Sequence, residues 1–226
     1  MKKYVIILAG GKGLRMGTDI PKQFLLLREK PVLMHTIEVF YNYDPYIRII
    51  LVLSEEQKNY WKLLCEKYQF TVEHQITYGG ETRFHSVKNG LQLIIDEDSL
   101  VAIHDGVRPL VTQKIISNAF ETAEKGKSAY PVIPVPDTLR RLLPNKKNRL
   151  VDRSKFFLVQ TPQVFSSKMI IRAYHTDYFP EFTDDVSVAE KRKSCKAIMI
   201  EGSRENIKIT TPVDLAIAEA ILKCRT

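Results

Sequence analysis

Residues 9 to 17 read Ala-Gly-Gly-Lys-Gly-Leu-Arg-Met-Gly, and Pro21-Lys22 follows shortly after. Glycines placed directly after an apolar strand let backbone N–H groups approach phosphate oxygens. Arg15 adds a planar guanidinium fork and Lys22 a compact point charge, and both suit phosphate. The spacing excludes two common phosphate loops. Gly11-x-Gly13 is followed by Gly17, one residue too far for the dinucleotide fingerprint G-x-G-x-x-G. A Walker A loop requires Gly-Lys-Ser/Thr, and here Lys12 precedes Gly13. What remains is Gly-Gly-x-Gly-x-Arg-Met with Lys22 downstream, a loop for polyphosphate outside those two classes.

A second chemical feature is His104-Asp105, which closes the apolar run Leu100–Ile103. A carboxylate at the end of a buried strand is costly unless it is paired or binds a metal. One carboxylate near a phosphate loop is a partial ligand set for Mg²⁺, with substrate phosphates and waters completing the octahedron. Capping of the following helix is the other use of such an Asp. His104 reads as a packed, hydrogen-bonded histidine. His35, His74, His85, His104 and His175 show no metal-ligand spacing. The three cysteines, Cys65, Cys195 and Cys224, are too scattered for a disulfide framework or a zinc site, and the expected compartment is a reducing cytoplasm.

The elements that would position these groups alternate in type. Apolar runs at Tyr4–Ala9, Ile47–Leu53, Leu100–Ile103 and Ala129–Val135 have the unbroken Val/Ile-rich character of strands covered on both faces. Amphipathic stretches between them predict helices at Pro31–Tyr41, with Pro31 in the first turn, and at Glu55–Tyr68, Thr82–Ile95 and Thr112–Lys125. This alternation predicts an α/β fold, a three-layer Rossmann-like and mostly parallel sheet. Ligands of such sheets bind beyond the carboxyl ends of the strands. Residues 136–155 break the rhythm, being polar, basic and without a long apolar face. An irregular insertion of that length in a compact unit is usually functional or interfacial. Thr161-Pro162-Gln163, a helix near Ser167–Tyr178, a short strand at Ala197–Ile200 and a closing helix at Pro212–Lys223 complete the chain.

Of the 226 residues, 44% are hydrophobic and 27% charged, which is ordinary globular usage and excludes disordered and collagen-like classes. No apolar run approaches the ~18 residues of a membrane span. Met1-Lys2-Lys3 before a short apolar run resembles a leader only superficially, because Gly-Gly-Lys-Gly follows instead of a small-residue cleavage site. The formal net charge of +8 is unevenly placed: residues 1–30 carry +5, residues 138–155 carry +6, and the remaining 178 carry −3. Two local clusters over a mildly acidic body suit small polyanions better than the continuous basic face of a nucleic-acid binder. Neither nucleic acid nor membrane is therefore an expected partner.

Several motifs in order carry a family resemblance. They are Leu8-Ala9-Gly10-Gly11 through Pro21-Lys22-Gln23-Phe24, Gly79-Gly80-Glu81-Thr82-Arg83 with Ser86-Val87, and His104-Asp105-Gly106-Val107-Arg108-Pro109. Asp137-Thr138, Val151-Asp152-Arg153, Thr161 to Phe165, Thr183-Asp184-Asp185, Asn206 to Thr210 and Pro212-x-Asp214-Leu215 follow. Together they resemble the 2-C-methyl-D-erythritol 4-phosphate cytidylyltransferase family. One block departs from its pattern: the family usually has two alanines where this chain has Gly106 and Val107. Related ribitol-5-phosphate cytidylyltransferases tolerate valine there, so ribitol 5-phosphate stands as the alternative acceptor.

The resemblance implies a single cytidylyltransferase domain over 1–226, with 136–156 as an inserted dimerisation arm. It implies CTP and a polyol phosphate as substrates, Mg²⁺ or another divalent cation as cofactor, and a homodimer with exchanged arms. It assigns catalysis to Arg15, Lys22 and Lys208. It assigns the nucleotide to Ala9, Gly10, Gly11, Gly13, Gly80, Arg83 and Ser86. It assigns the second substrate to Asp105, Arg108, Thr138, Arg153 and Thr183, with Asp105 also the metal ligand. The arm's Thr138 and Arg153 would reach the neighbouring subunit's site.

Overall fold

The computed structural model describes residues 1–11, 20–191 and 195–225. Strands β1 (Lys2–Leu8), β2 (Leu26–Leu27) and β3 (Lys30–Pro31) lead into helix α1 (Val32–Tyr43). Strand β4 (Arg48–Leu53), helix α2 (Lys58–Lys67), strand β5 (Gln75–Tyr78), helix α3 (Arg83–Leu91) and strand β6 (Ser99–Asp105) follow. Next come α4 (Gln113–Glu124), β7 (Ser128–Pro134), β8 (Arg140–Leu142), β9 (Asn148–Leu150), β10 (Phe157–Val159) and β11 (Gln163–Ser166). Helices α5 (Ser167–Ala173) and α6 (Asp185–Glu190), strand β12 (Ala197–Glu201) and helix α7 (Pro212–Cys224) close the chain.

One eight-stranded sheet runs β10-β7-β11-β6-β1-β4-β5, with β12 also paired to β7. β1 pairs in parallel with both β4 and β6, and β4 with β5. Short β11 is antiparallel to β6, so its first residue, Gln163, lies opposite Ile103 near the carboxyl end of β6. The period of two along β1 divides the core. Val5 and Ile7 face Phe40, Trp61, Ile116 and Phe120 of α1, α2 and α4. Tyr4 and Ile6 face Phe84, Val87, Ile170 and Val188 of α3, α5 and α6. These two covered faces are the three layers, and burial of such large apolar side chains stabilises by roughly 1.5–3 kcal/mol each. A third cluster sets α7 (Ala218) against Leu27, Val107, Leu110 and Ile209.

The structure refines several expectations. Pro31 stands just before α1 and pairs with Leu26 in the β2–β3 ladder instead of entering the helix. Thr82 is the N-cap of α3, its side chain accepting from the His85 N–H, and that helix ends at Leu91. The stretch 55–68 divides into a short 3₁₀ turn, Glu55–Gln57, and α2. The helix expected over Ser167–Tyr178 stops at Ala173. Tyr174 and Tyr178 have helical spacing, but both rings pack on Phe84, Tyr178 from the irregular stretch after α5. α6 escaped sequence reading because it has six residues, and β5 and β11 have four each.

The arm leaves the sheet after β7 and returns at β10, where Pro134 and Phe157 are register partners. Between them β8 and β9 pair antiparallel with each other alone, and both strands are exposed throughout. Leu142, Leu150, Phe156, Phe157, Leu158 and Val159 all present apolar surface to solvent.

Candidate active site

A cavity of about 650 Å³ opens at the carboxyl ends of β1, β4, β5 and β6. Ala9, Gly10 and Gly11 form one side, Tyr78, Gly79, Gly80 and Thr82 another, and Lys22, Asp105 and Lys208 also line it. Each wall has its own fastening. The Ala9 N–H donates to Val52 O at 2.8 Å, and the Gly79 N–H to Leu53 O at 2.8 Å. Buried Gln23, beside Lys22, donates from Nε2 to Ala9 O at 2.5 Å, Gly11 O at 3.2 Å and Gln57 Oε1 at 3.1 Å. Gln23 thereby ties the Lys22 turn to the start of the glycine loop. Sequence reading quoted Gln23 within its motif without giving it a task. The signal was a polar residue between two groups that must be aligned.

On the opposite wall, Ser86 Oγ donates to Thr82 O at 3.0 Å and accepts from the Gly80 N–H at 3.2 Å. A Cβ on Gly79 would sit 3.0 Å from that Oγ, and a Cβ on Gly80 would run into His85. Glycine is needed at both positions for this close approach. Ser86 is thus both a helix residue and the brace of the glycine wall.

At the floor, Asp105 Oδ2 accepts from Arg108 Nε at 3.1 Å and meets Lys208 Nζ at 3.1 Å. Burial alone would raise the Asp105 pKa. The charges of Lys208, Arg83 and Arg108 override it and hold the carboxyl well below the usual carboxylate range. Arg108 also donates from Nη1 to Asn206 O at 2.7 Å. It is buried and does not line the cavity, so it is a brace for Asp105 and for the Asn206–Lys208 segment. His104 is wholly buried, with Nε2 against Arg108 O at 3.2 Å and Nδ1 against the Thr161 hydroxyl at 3.0 Å. A neutral ring carrying its proton on Nε2 satisfies both bonds. Burial pushes its pKa down to about 4.

Arg83 lines the cavity, yet its guanidinium is engaged elsewhere. Nη1 and Nη2 donate to the two carboxylate oxygens of wholly buried Asp185 at 2.8 and 2.6 Å. Burial would lower the guanidinium pKa; the Asp185 charge outweighs it and raises it. Thr138, Arg153 and Thr183 are exposed and are not among the cavity's lining residues. Arg153 Nη1 donates to Pro136 O within the arm's own base. Gly13 and Arg15 lie outside the described residues.

Gly106 and Val107 also acquire a physical reading. A Cβ on Gly106 would lie 2.9 Å from Leu8 O and 3.1 Å from both Ala9 Cβ and Leu33 Cδ1. Val107 packs with Leu27, Val32 and Ile209 at the cavity's edge. Here the pair answers packing between β1, α1 and α7.

The family model for 2-C-methyl-D-erythritol 4-phosphate cytidylyltransferase matches residues 3–224. The chain belongs to this family. An enzyme of that name from Azobacteroides pseudotrichonymphae is 59% identical over 221 residues, covering 98% of this chain and 99% of the relative. Another, from Bacteroides thetaiotaomicron, is 54% identical over 222 residues, covering 98% and 100%. Among solved structures, 4-diphosphocytidyl-2C-methyl-D-erythritol synthase from Anaerococcus prevotii superposes with a TM-score of 0.83 at 27% identity, covering 98% of this chain and 96% of that one. No helix among the described residues is long and apolar enough to cross a membrane.

Proposed function

We infer that this family member transfers CMP from CTP to 2-C-methyl-D-erythritol 4-phosphate and releases pyrophosphate, a step of the non-mevalonate isoprenoid route. The observation carrying the site assignment is that Lys22, Lys208 and Asp105, far apart in sequence, converge on one glycine-walled cavity.

In this reaction a phosphate oxygen of the acceptor attacks the α-phosphorus of CTP, a new P–O bond forms, and the bond to the β-phosphate bridging oxygen breaks. The attacking oxygen is already ionised near neutral pH, so no general base is required. Catalysis reduces to alignment and to cations placed where charge accumulates. Lys22, held in place through Gln23, supports the triphosphate and the departing pyrophosphate together with Arg15. Lys208, aimed by Asp105, supports the α-phosphate from the other side. Ala9, Gly10, Gly11, Gly13, Gly80, Arg83 and Ser86 take the nucleotide. Arg83 also joins that wall to α6 through its hold on Asp185.

Among the described residues no group of three or more His, Cys, Asp or Glu side chains forms a metal cage. A single carboxylate nevertheless fits a hard divalent cation whose other ligands are phosphate oxygens and waters. Both Asp105 bonds described above fall on Oδ2. Asp105 would hold Mg²⁺, which neutralises triphosphate charge when bound.

Thr138 and Arg153 on the exposed arm, with Thr183, take the acceptor phosphate and polyol. Because the arm residues are absent from this chain's own cavity lining, we assign the working form to a homodimer with exchanged arms in the cytoplasm. The exposed apolar side chains of the arm and β10 suit burial against a second copy.

Pyrophosphate release tests this reading, with CTP and separately methylerythritol 4-phosphate, ribitol 5-phosphate or glycerol 3-phosphate. Turnover is expected with the first acceptor. Preference for ribitol 5-phosphate would overturn the assignment.

A further inference from the structure

Asp185 is a wholly buried carboxylate that the reaction does not use. It accepts two bonds from Arg83 and one from the Tyr174 hydroxyl at 2.6 Å. Its backbone N–H and that of Val186 donate to Gln163 Oε1, each at 3.0 Å, and Gln163 Nε2 donates to Asp184 Oδ2 at 2.9 Å. A buried charge this fully bonded is strongly committed to its partners, since losing one leaves an uncompensated ion.

The two sides of the Arg83–Asp185 pair differ in how else they are held. Arg83 opens α3, whose Thr82 cap and Ser86–Thr82 bond secure the glycine wall locally. Asp185 opens α6 two residues after Thr183; Asp184 and Ser187 form the capping box of that helix, but residues 174–183 before it form no regular element. That stretch leans on α3: Phe84 stacks on Tyr174 at 4.8 Å and on Phe182 at 5.7 Å, and His85 meets Tyr178 at 5.6 Å. The bidentate ion pair is the charged bond between the nucleotide wall and the segment carrying Thr183.

We propose that Asp185 is a positioning residue: through Arg83 it registers the Thr183 segment against the nucleotide wall, so that the acceptor is presented to the CTP held there. This rests on the assignment of Thr183 to the acceptor. Because the glycine wall has its own fastenings, loss of the pair falls on the acceptor side. The site then contains an ion pair whose buried carboxylate is outside the cavity lining yet sets the affinity for one substrate.

The test measures KM for methylerythritol 4-phosphate and, without acceptor, the dissociation constant for CTP. Asp185→Asn is expected to raise the acceptor KM at least about tenfold and to leave CTP binding within about threefold. Tyr174→Phe removes one of the bonds that hold Asp185 and is expected to show the same selectivity at a smaller size. Equal shifts for both substrates, or none, overturn the proposal, because a general structural role predicts no such split. Should Asp185→Asn fail to fold, Tyr174→Phe carries the same comparison. Thr183→Val separates the two levels. If it raises the acceptor KM while the Asp185 and Tyr174 variants do not, the positioning role alone fails. If it leaves the acceptor KM unchanged in an active enzyme, the acceptor assignment fails and takes the proposal with it.

Discussion

At the cavity floor, Lys208 and Arg108 both lie 3.1 Å from Asp105; Arg108 is buried behind the carboxylate and Lys208 opens onto the cavity. In the arm, Arg140, Arg141, Lys146, Lys147, Arg149, Arg153 and Lys155 are solvent-facing on a ribbon that, among the described residues, pairs with itself. The floor fixes Lys208 on a braced carboxylate, ready for charge that develops during the reaction, which is where preorganisation is effective. The arm holds its cations in water, where an isolated contact contributes little. The described nucleotide wall and floor are thus tied down within one chain, whereas the arm proposed to serve the acceptor is not.

Three interventions set this contrast at risk. Lys22→Ala strikes the nucleotide side and has the largest expected effect. Removing one preorganised donor costs about 2.7–4 kcal/mol of transition-state stabilisation, so kcat falls at least about a hundredfold. Pyrophosphate release at saturating CTP measures it, and normal turnover would contradict the role. Arg153→Ala strikes the arm, with an acceptor KM raised about tenfold and CTP binding near normal. The contrast becomes sharper on mixing the two variants. If arms are exchanged, half of randomly formed dimers are mixed and each has one intact site, giving about a quarter of wild-type activity. No recovery above the sum of the separate variants would refute the exchange.

The third concerns pH. His104 is held neutral in the fold by burial, with a pKa of about 4. Below about 6.5 the unfolded chain takes a proton that the folded chain refuses, so stability falls as pH falls from about 6.5 towards 4. Between pH 7 and 5.5 the loss is about 1 kcal/mol. Asp105 works in the same direction at lower pH: its carboxyl is depressed in the fold, and its contribution disappears as pH falls through that depressed value. Denaturant unfolding at several pH values checks the slope, and His104→Asn should flatten the upper part. An unchanged slope would place the acid sensitivity elsewhere.

Strand positions in this architecture were legible wherever the apolar runs were long: β1, β4, β6 and β7 stand within a residue or two of expectation. Short elements were not, because four residues such as Gln75–Tyr78 carry too little periodicity to separate a strand from a loop. At the site, residue type and spacing pointed to Lys22 and Asp105 and the family resemblance to Lys208, and all three line the cavity. Type could not reveal which way an arginine turns. Arg83 and Arg108 look like ligand-binding cations in sequence, yet each is committed to a carboxylate of its own chain. That commitment comes from Asp185 and Asp105 being buried, a tertiary fact. Asp185 itself was visible only as the end of a Thr-Asp-Asp motif.

The antiparallel return of the chain beside β7 has one more consequence. Pro134 and Phe157 face each other across a single rung, so both feet of the 22-residue excursion stand together at one edge of the sheet. Closing a flexible loop depends only weakly on its length, each doubling costing about 0.6 kcal/mol. The ribbon between those feet can therefore be shortened or lengthened across a lineage with little strain passed to the sheet. Its reach is free to diverge as long as Thr138 and Arg153 are kept.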